Sequence, residues 1–288
     1  GMRDDGIDGT KDKILVLGDS YTWGATVNSS DIWLEMIESR TNLDMINLGG
    51  ANGISKAVKQ YAKIGDSLPE HDVVIYEMSF VNEFLDNYAF AEATKSGFLE
   101  TENNLKNQRW YYPIITKSKV TYMFYDIYAR VNFPIKAFFY KISNNINPPA
   151  DYVPEKDSYF DETIGALDIA KLENERGLNY LIINNTDSYF VGGLNETLRA
   201  MKEFNDLVKS KNKTLIIILL PFKEQVYHGL VEQKSNLTLY YKYPNDFILS
   251  NCELLKISCF DSTDWMIQNK DKKLYWDYDV HLTPVGQE

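Results

Sequence analysis

The sequence predicts a three-layer α/β/α protein built on a five-stranded parallel sheet. Three observations lead there. Five short apolar runs of strand length occur along the chain, several of them apolar without alternation, as in strands covered on both faces. Amphipathic helical stretches separate the first three runs, and that βαβαβ order argues for parallel pairing with right-handed crossovers. The chain has 288 residues, 44% hydrophobic and 25% charged, which suits one α/β domain with a sizeable core.

Residues 1–12 are acidic and glycine-containing and read as a flexible tail ahead of a single domain over 13–288. The first strand covers 13–18, with the run Lys13-Ile14-Leu15-Val16-Leu17. Residues 31–40 place Ile32, Trp33, Met36 and Ile37 on one helical stripe, with Asp31 near its start. A second strand follows at 43–48. A helix follows at 54–64, with Ile54, Ala57, Val58, Tyr61 and Ala62 on one face. The β-branched and aromatic segment 72–80 is the third strand. The rhythm then breaks. Residues 84–186 hold no long β-type run but carry Trp110, Tyr111, Tyr112 and the aromatic stretch 122–140, and they read as a helical, aromatic-rich insertion. Two readings of it stay open: a cap over the carboxyl edge of the sheet, or an extension of the core. Order returns with a helix over 193–210 and an all-apolar strand over 215–220, ended by Pro221. Helices at 223–234 and 245–254, a fifth strand at 256–260 and a short helix at 263–268 complete the pattern. Cys252 falls in a helix and Cys259 in the next strand. They are either a thiol pair or, if the helix doubles back, a bridge.

Composition narrows the function. A net charge of -11 with no Lys/Arg cluster argues against a nucleic acid or an anionic membrane as partner. No run of 18 apolar residues spans a membrane. The three histidines are not at metal-ligand spacing, the two cysteines are not CxxC, and no Gly-x-Gly-x-x-Gly follows a strand. No metal and no cofactor is expected. No signal peptide is legible, and Gly1 ahead of Met2 reads as the scar of a removed tag. The compartment stays open between a bacterial cell envelope or secreted setting, with a leader removed, and the cytoplasm.

The chemistry concentrates at strand ends. Gly18-Asp19-Ser20 presents a hydroxyl at the carboxyl end of the first strand, the edge where open α/β sheets bind ligands. A serine hydroxyl needs a base. His71 lies at the amino edge, and His228 lies on a helix where it is expected to face solvent. His281 follows the last strand, on the same edge as Ser20, with Asp279 and Asp277 close by. Glu77 and Glu83 form an alternative carboxylate pair, against which stands the place of Glu77 inside an apolar strand. Asp19 is expected to stabilise its turn.

Four blocks, in order, resemble those of the SGNH (GDSL-type) serine hydrolases. They are Gly18-Asp19-Ser20-Tyr21-Thr22-Trp23-Gly24, Asn47-Leu48-Gly49-Gly50-Ala51-Asn52-Gly53, Phe80-Val81-Asn82-Glu83 and Asp279-Val280-His281. Phe80 and Glu83 depart from the family's usual Gly and Asp, and Asp279 stands two residues from His281 where three is commoner. The resemblance implies a flavodoxin-like hydrolase fold and a catalytic Ser20, His281 and Asp279, with Asp277 as the alternative acid. It also implies an oxyanion hole from the Ser20 N–H, the Gly53 N–H (with Asn52 as the alternative) and the Asn82 amide. Asp279 is favoured because residues i and i+2 of an extended segment project to one side, whereas Asp277 lies about 13 Å away along such a chain. The implied activity is hydrolysis of O-acyl esters of a small molecule or glycan through an acyl-enzyme. The alternatives are an O-acyltransferase acting on a glycan, and a non-catalytic carbohydrate-binding protein on the same scaffold. The resemblance also implies a helix after the His281 loop, and none is legible. Oligomeric state is not encoded in these features.

Overall fold

The computed structural model describes residues 11–50, 53–80, 83, 84, 87, 188–235, 239–276 and 280–288. The chain divides into two units, 1–91 with 159–288 and 92–158, and every described residue lies in the first. The expected insertion over 84–186 falls almost wholly outside the described residues. So do Asn52, Asn82, Asp277 and Asp279.

The order is β1 (Asp12–Leu17), α1 (Ser20–Trp23), α2 (Trp33–Arg40), β2 (Leu43–Asn47), α3 (Ile54–Ile64) and β3 (Val73–Ser79). After the undescribed stretch come α4 (Ser188–Ser210), β4 (Thr214–Leu220), α5 (Lys223–Val226), α6 (His228–Ser235) and α7 (Tyr243–Leu255). Then come β5 (Ser258–Asp261), α8 (Thr263–Gln268) and α9 (Pro284–Gln287). The strands form one sheet in the order β2-β1-β3-β4-β5, and every pairing is parallel. This is the doubly wound order expected of the pattern, and its direction reverses between β1 and β3.

Alternation within β1 explains the layers. Leu15 and Leu17 join the core cluster that holds Ala57, Val58 and Tyr61 of α3 with Ala200, Met201 and Phe204 of α4. Val16 joins Leu34 of α2, Met45 and Ile75 on the opposite face. Both faces of β1 are thus buried, so the strand reads as a continuous apolar run.

Several boundaries moved, each for a local reason. Asp12 pairs with Leu43, so β1 begins inside the segment read as tail. The expected helix over 31–40 opens as a 3-10 turn at Ser29–Asp31, and Ile32 is extended before α2 starts. The expected helix over 223–234 breaks at Tyr227 into α5 and α6. α7 starts earlier than read, because Pro244 fits a first turn whose N–H groups have no helical acceptor. Lys256 takes a left-handed conformation (φ 55°) as the cap of α7, so β5 begins at Ser258 and not at 256. That tight reversal brings Cys252 and Cys259 within a Cα–Cα distance of 6.3 Å, and they form a disulfide. The sequence had left that question open. A short helix, α9, also follows the His281 loop, where none was legible.

Candidate active site at the carboxyl edge of the sheet

Ser20 is the first residue of α1, directly beyond β1. Asp19 caps that short helix, its Oδ1 accepting the Tyr21 N–H at 2.9 Å, and it is buried as a turn-stabilising residue. Among the described residues no backbone acceptor takes the Ser20 N–H, as is usual for the first N–H of a helix. The exit loop of β2 holds the turn from one side. Asn47 Nδ2 donates to Thr22 O at 3.0 Å, and the Gly50 N–H donates to Gly18 O at 2.9 Å. The Gly49 N–H is taken by Asn47 Oδ1 at 2.9 Å. The Gly49 and Gly50 N–H groups are therefore committed to the loop itself. Gly53 stands at the start of α3 with φ 76°, ψ 147°, a conformation that favours glycine.

His281 arrives from the far end of the chain. Tyr275 and Leu282 form an antiparallel bridge, the Trp276 N–H donates to His281 O at 3.1 Å, and the Thr283 N–H donates to Leu274 O at 2.9 Å. This small clasp holds the loop, and Tyr21 joins it to α1. The Tyr21 hydroxyl donates to Val280 O at 2.6 Å, and its ring lies 5.3 Å from the His281 ring. The result is a contact across 261 positions: His281 Nε2 lies 2.8 Å from Ser20 Oγ. With the proton on Nδ1, Nε2 accepts a hydrogen bond from the serine hydroxyl.

The other two histidines are held elsewhere. His71 is buried at the amino edge, with Nδ1 2.7 Å from Pro69 O and Nε2 3.3 Å from the Tyr61 hydroxyl. Burial lowers its pKa. His228 does not stand free in solvent as expected. It is half-buried and stacks on Tyr241 at 3.8 Å, with Nδ1 3.0 Å from Gln225 O.

Two buried carboxyls lie behind the turn. Glu77, although inside an apolar strand, reaches the turn after β1. Its Oε2 accepts the Thr22 hydroxyl at 2.9 Å, while Oε1 has no hydrogen-bond partner among the described residues. Burial raises its pKa well above the usual carboxylate value, and the nearby Asp19 adds to this. Glu83 is pushed up to about 7 by burial, against three hydrogen bonds that favour its ionised form. Neither is an open catalytic pair, because each is only 2–3% exposed. Sequence reading missed Tyr21, Asn47 and these roles of Glu77 and Glu83. Only the polar interruption of an apolar strand at Glu77 signalled any of them.

A pH dependence follows. Both glutamates hold protons more tightly folded than unfolded, so their contribution to stability is full below about pH 4.5. For Glu83 it is lost as pH rises through about 7. A complete shift of that size is worth about 3 kcal/mol. The urea midpoint is expected to fall between pH 5 and pH 8, and Glu83→Gln should flatten the fall. Parallel curves for the two proteins would contradict the assignment.

A cavity of about 450 Å³ is lined by Tyr21, Trp33, Met36, Glu77, Leu220 and Trp265 among others, but neither Ser20 nor His281 lines it. Among the described residues no cluster of His, Cys, Asp or Glu could hold a metal ion, and no helix is long and apolar enough to cross a membrane.

The described residues define a doubly wound α/β protein with a serine–histidine pair at the carboxyl edge of its sheet. No family model and no curated protein matches the chain. Among solved structures it is similar to a member of the lipolytic protein G-D-S-L family from Veillonella parvula (TM-score 0.44, 10% identity, 96% of this chain and 91% of that one). It is also similar to TesA (TM-score 0.44, 7% identity, 96% and 91%). A third is LAE5, an alpha/beta hydrolase enzyme from the metagenome of Lake Arreo, Spain (TM-score 0.45, 11% identity, 96% and 89%). No residue role follows from similarity at that level.

Proposed function

We propose that the protein is a serine esterase of the SGNH type. The observation that carries this reading is the 2.8 Å contact between Ser20 Oγ and His281 Nε2 at the carboxyl edge of the sheet, next to its switch point. Ser20 Oγ attacks an ester carbonyl while His281 Nε2 takes its proton. The same proton passes to the leaving alkoxide, which departs as an alcohol and leaves an acyl-serine. Water, deprotonated by His281, then attacks the acyl carbon and releases the acid.

Asp279 orients the other ring nitrogen and stabilises the imidazolium, with Asp277 the alternative acid. The negative charge on the carbonyl oxygen falls to the Ser20 N–H, the Gly53 N–H and the Asn82 amide, with Asn52 as the alternative loop donor. The commitment of the Gly49 and Gly50 N–H groups within the loop supports a donor further along it. The substrate is an O-acyl ester with a small acyl group, on a small molecule or a glycan.

The test is a fluorophosphonate probe with peptide mapping, run beside a p-nitrophenyl ester series of increasing chain length. Labelling is expected at Ser20, with the fastest turnover on short chains. An unlabelled Ser20 in protein that is folded by circular dichroism would overturn the reading.

A further inference from the structure

Glu83 has no part in the esterase chemistry. It hydrogen-bonds neither Ser20 nor His281, yet it is a carboxyl only 2% exposed. Such a group is costly to bury unless its acceptors are used. They are used in a particular way. Glu83 Oε1 accepts the Ile54 N–H at 2.8 Å and Asn87 Nδ2 at 2.7 Å, and Oε2 accepts the Tyr76 hydroxyl at 2.8 Å. Asn87, itself fully buried, accepts the Ser55 N–H on Oδ1 at 3.0 Å and donates to Thr197 Oγ1 at 2.8 Å.

Ile54 and Ser55 are the first two residues of α3, where N–H groups have no acceptor within the helix. Two side chains from beyond β3 therefore clasp the start of α3. The residue just before is Gly53. Its carbonyl is fixed by the Lys56 and Ala57 N–H groups at 3.1 and 3.3 Å. The amide that follows it is fixed by Glu83. The Gly53–Ile54 peptide plane is thereby held, and from it the Gly53 torsions (φ 76°, ψ 147°) set where the Gly53 N–H, on the preceding peptide, points.

We propose that Glu83, assisted by Asn87, is a positioning residue that aims the Gly53 N–H at the oxyanion by clasping the N-terminus of α3. The proposal rests on the esterase reading. Charge is not what the clasp needs. Tyr76 from β3 faces Glu83 directly, and the nearby acids are Asp19 and Glu77. A neutral Glu83 can turn an Oε2–H toward the Tyr76 oxygen while Oε1 still accepts from Ile54 and Asn87. A glutamine reproduces that arrangement, with its amide nitrogen toward Tyr76.

The experiment measures kcat per fluorophosphonate-titrated site, KM, and the ratio of kcat/KM for an oxoester and its thionoester, in wild type, Glu83→Ala and Glu83→Gln. Sulfur is a poor acceptor, so a well-aimed hole prefers the oxoester. Glu83→Ala is expected to lower kcat by about 10–100-fold with little change in KM, and to shrink the oxo/thiono ratio. Glu83→Gln should recover most of both losses. Glu83→Asp, too short to reach all three donors, replaces the alanine variant if that one does not fold. A folded Ala or Asp variant with wild-type kcat and ratio overturns the proposal. So does a Gln variant no better than Ala, or a loss of titrated sites with unchanged kcat per site, which marks a purely structural cap. If wild-type Ser20 does not label, the esterase reading fails first and takes the proposal with it.

Discussion

Ser20→Ala is expected to abolish ester turnover, with kcat falling by about 10⁶-fold. The substitution removes one oxygen, from the residue whose Oγ lies 2.8 Å from His281 Nε2. Without that oxygen no acyl-serine forms, and His281 has no proton to take. Binding and the remaining oxyanion donors persist, so a residual rate above that in water should survive. Stability should barely move. The side chain is only half-buried, and the Asp19 cap and the Tyr21–Val280 contact do not involve it. The measurement is kcat and KM on a short p-nitrophenyl ester, with a urea curve to certify the fold. Turnover within a few-fold of wild type, in a preparation free of wild-type enzyme, would remove Ser20 from the chemistry.

Gly49→Ala should damage both fold and rate. A Cβ at Gly49 would lie 2.5 Å from the Trp23 backbone nitrogen and 2.9 Å from the Thr22 carbonyl carbon. Those atoms belong to α1, which begins at Ser20, so no rotamer change relieves the clash. Either the β2 exit loop retreats or α1 shifts. Overpacking of this kind costs about 1–3 kcal/mol. A displacement of Ser20 approaching 1 Å from its productive position would cost about 10²-fold in kcat. The expected result is a lowered urea midpoint together with a lowered kcat per titrated site. An unchanged kcat would mean that the loop yields and the nucleophile does not depend on it.

The wider lesson lies in which residues were legible. β1, α3 and α8 were readable because their periodicity is a local property of consecutive side chains: α3 spans Ile54–Ile64 and α8 spans Thr263–Gln268, as read. Ser20 was readable because a glycine turn after an apolar run places it at a sheet edge. His281 was readable by elimination among three histidines. The small shifts at Ile32, Tyr227 and Lys256 came from single backbone conformations, which neighbouring residues do not advertise.

By itself, then, the sequence determined the parallel three-layer scaffold and the two residues carrying its proposed chemistry. Both follow from hydrophobic period and strand-end position. Tertiary structure alone decided the Ser20–His281 contact, the Cys252–Cys259 bridge and the burial of Glu77. It also decided the Glu83–Asn87 clasp on α3 and the tether from Tyr21 to Val280. The physical reason is common to all five. Each depends on which strand lies beside which, or on how one turn closes, and neither leaves a periodic trace at the residues involved.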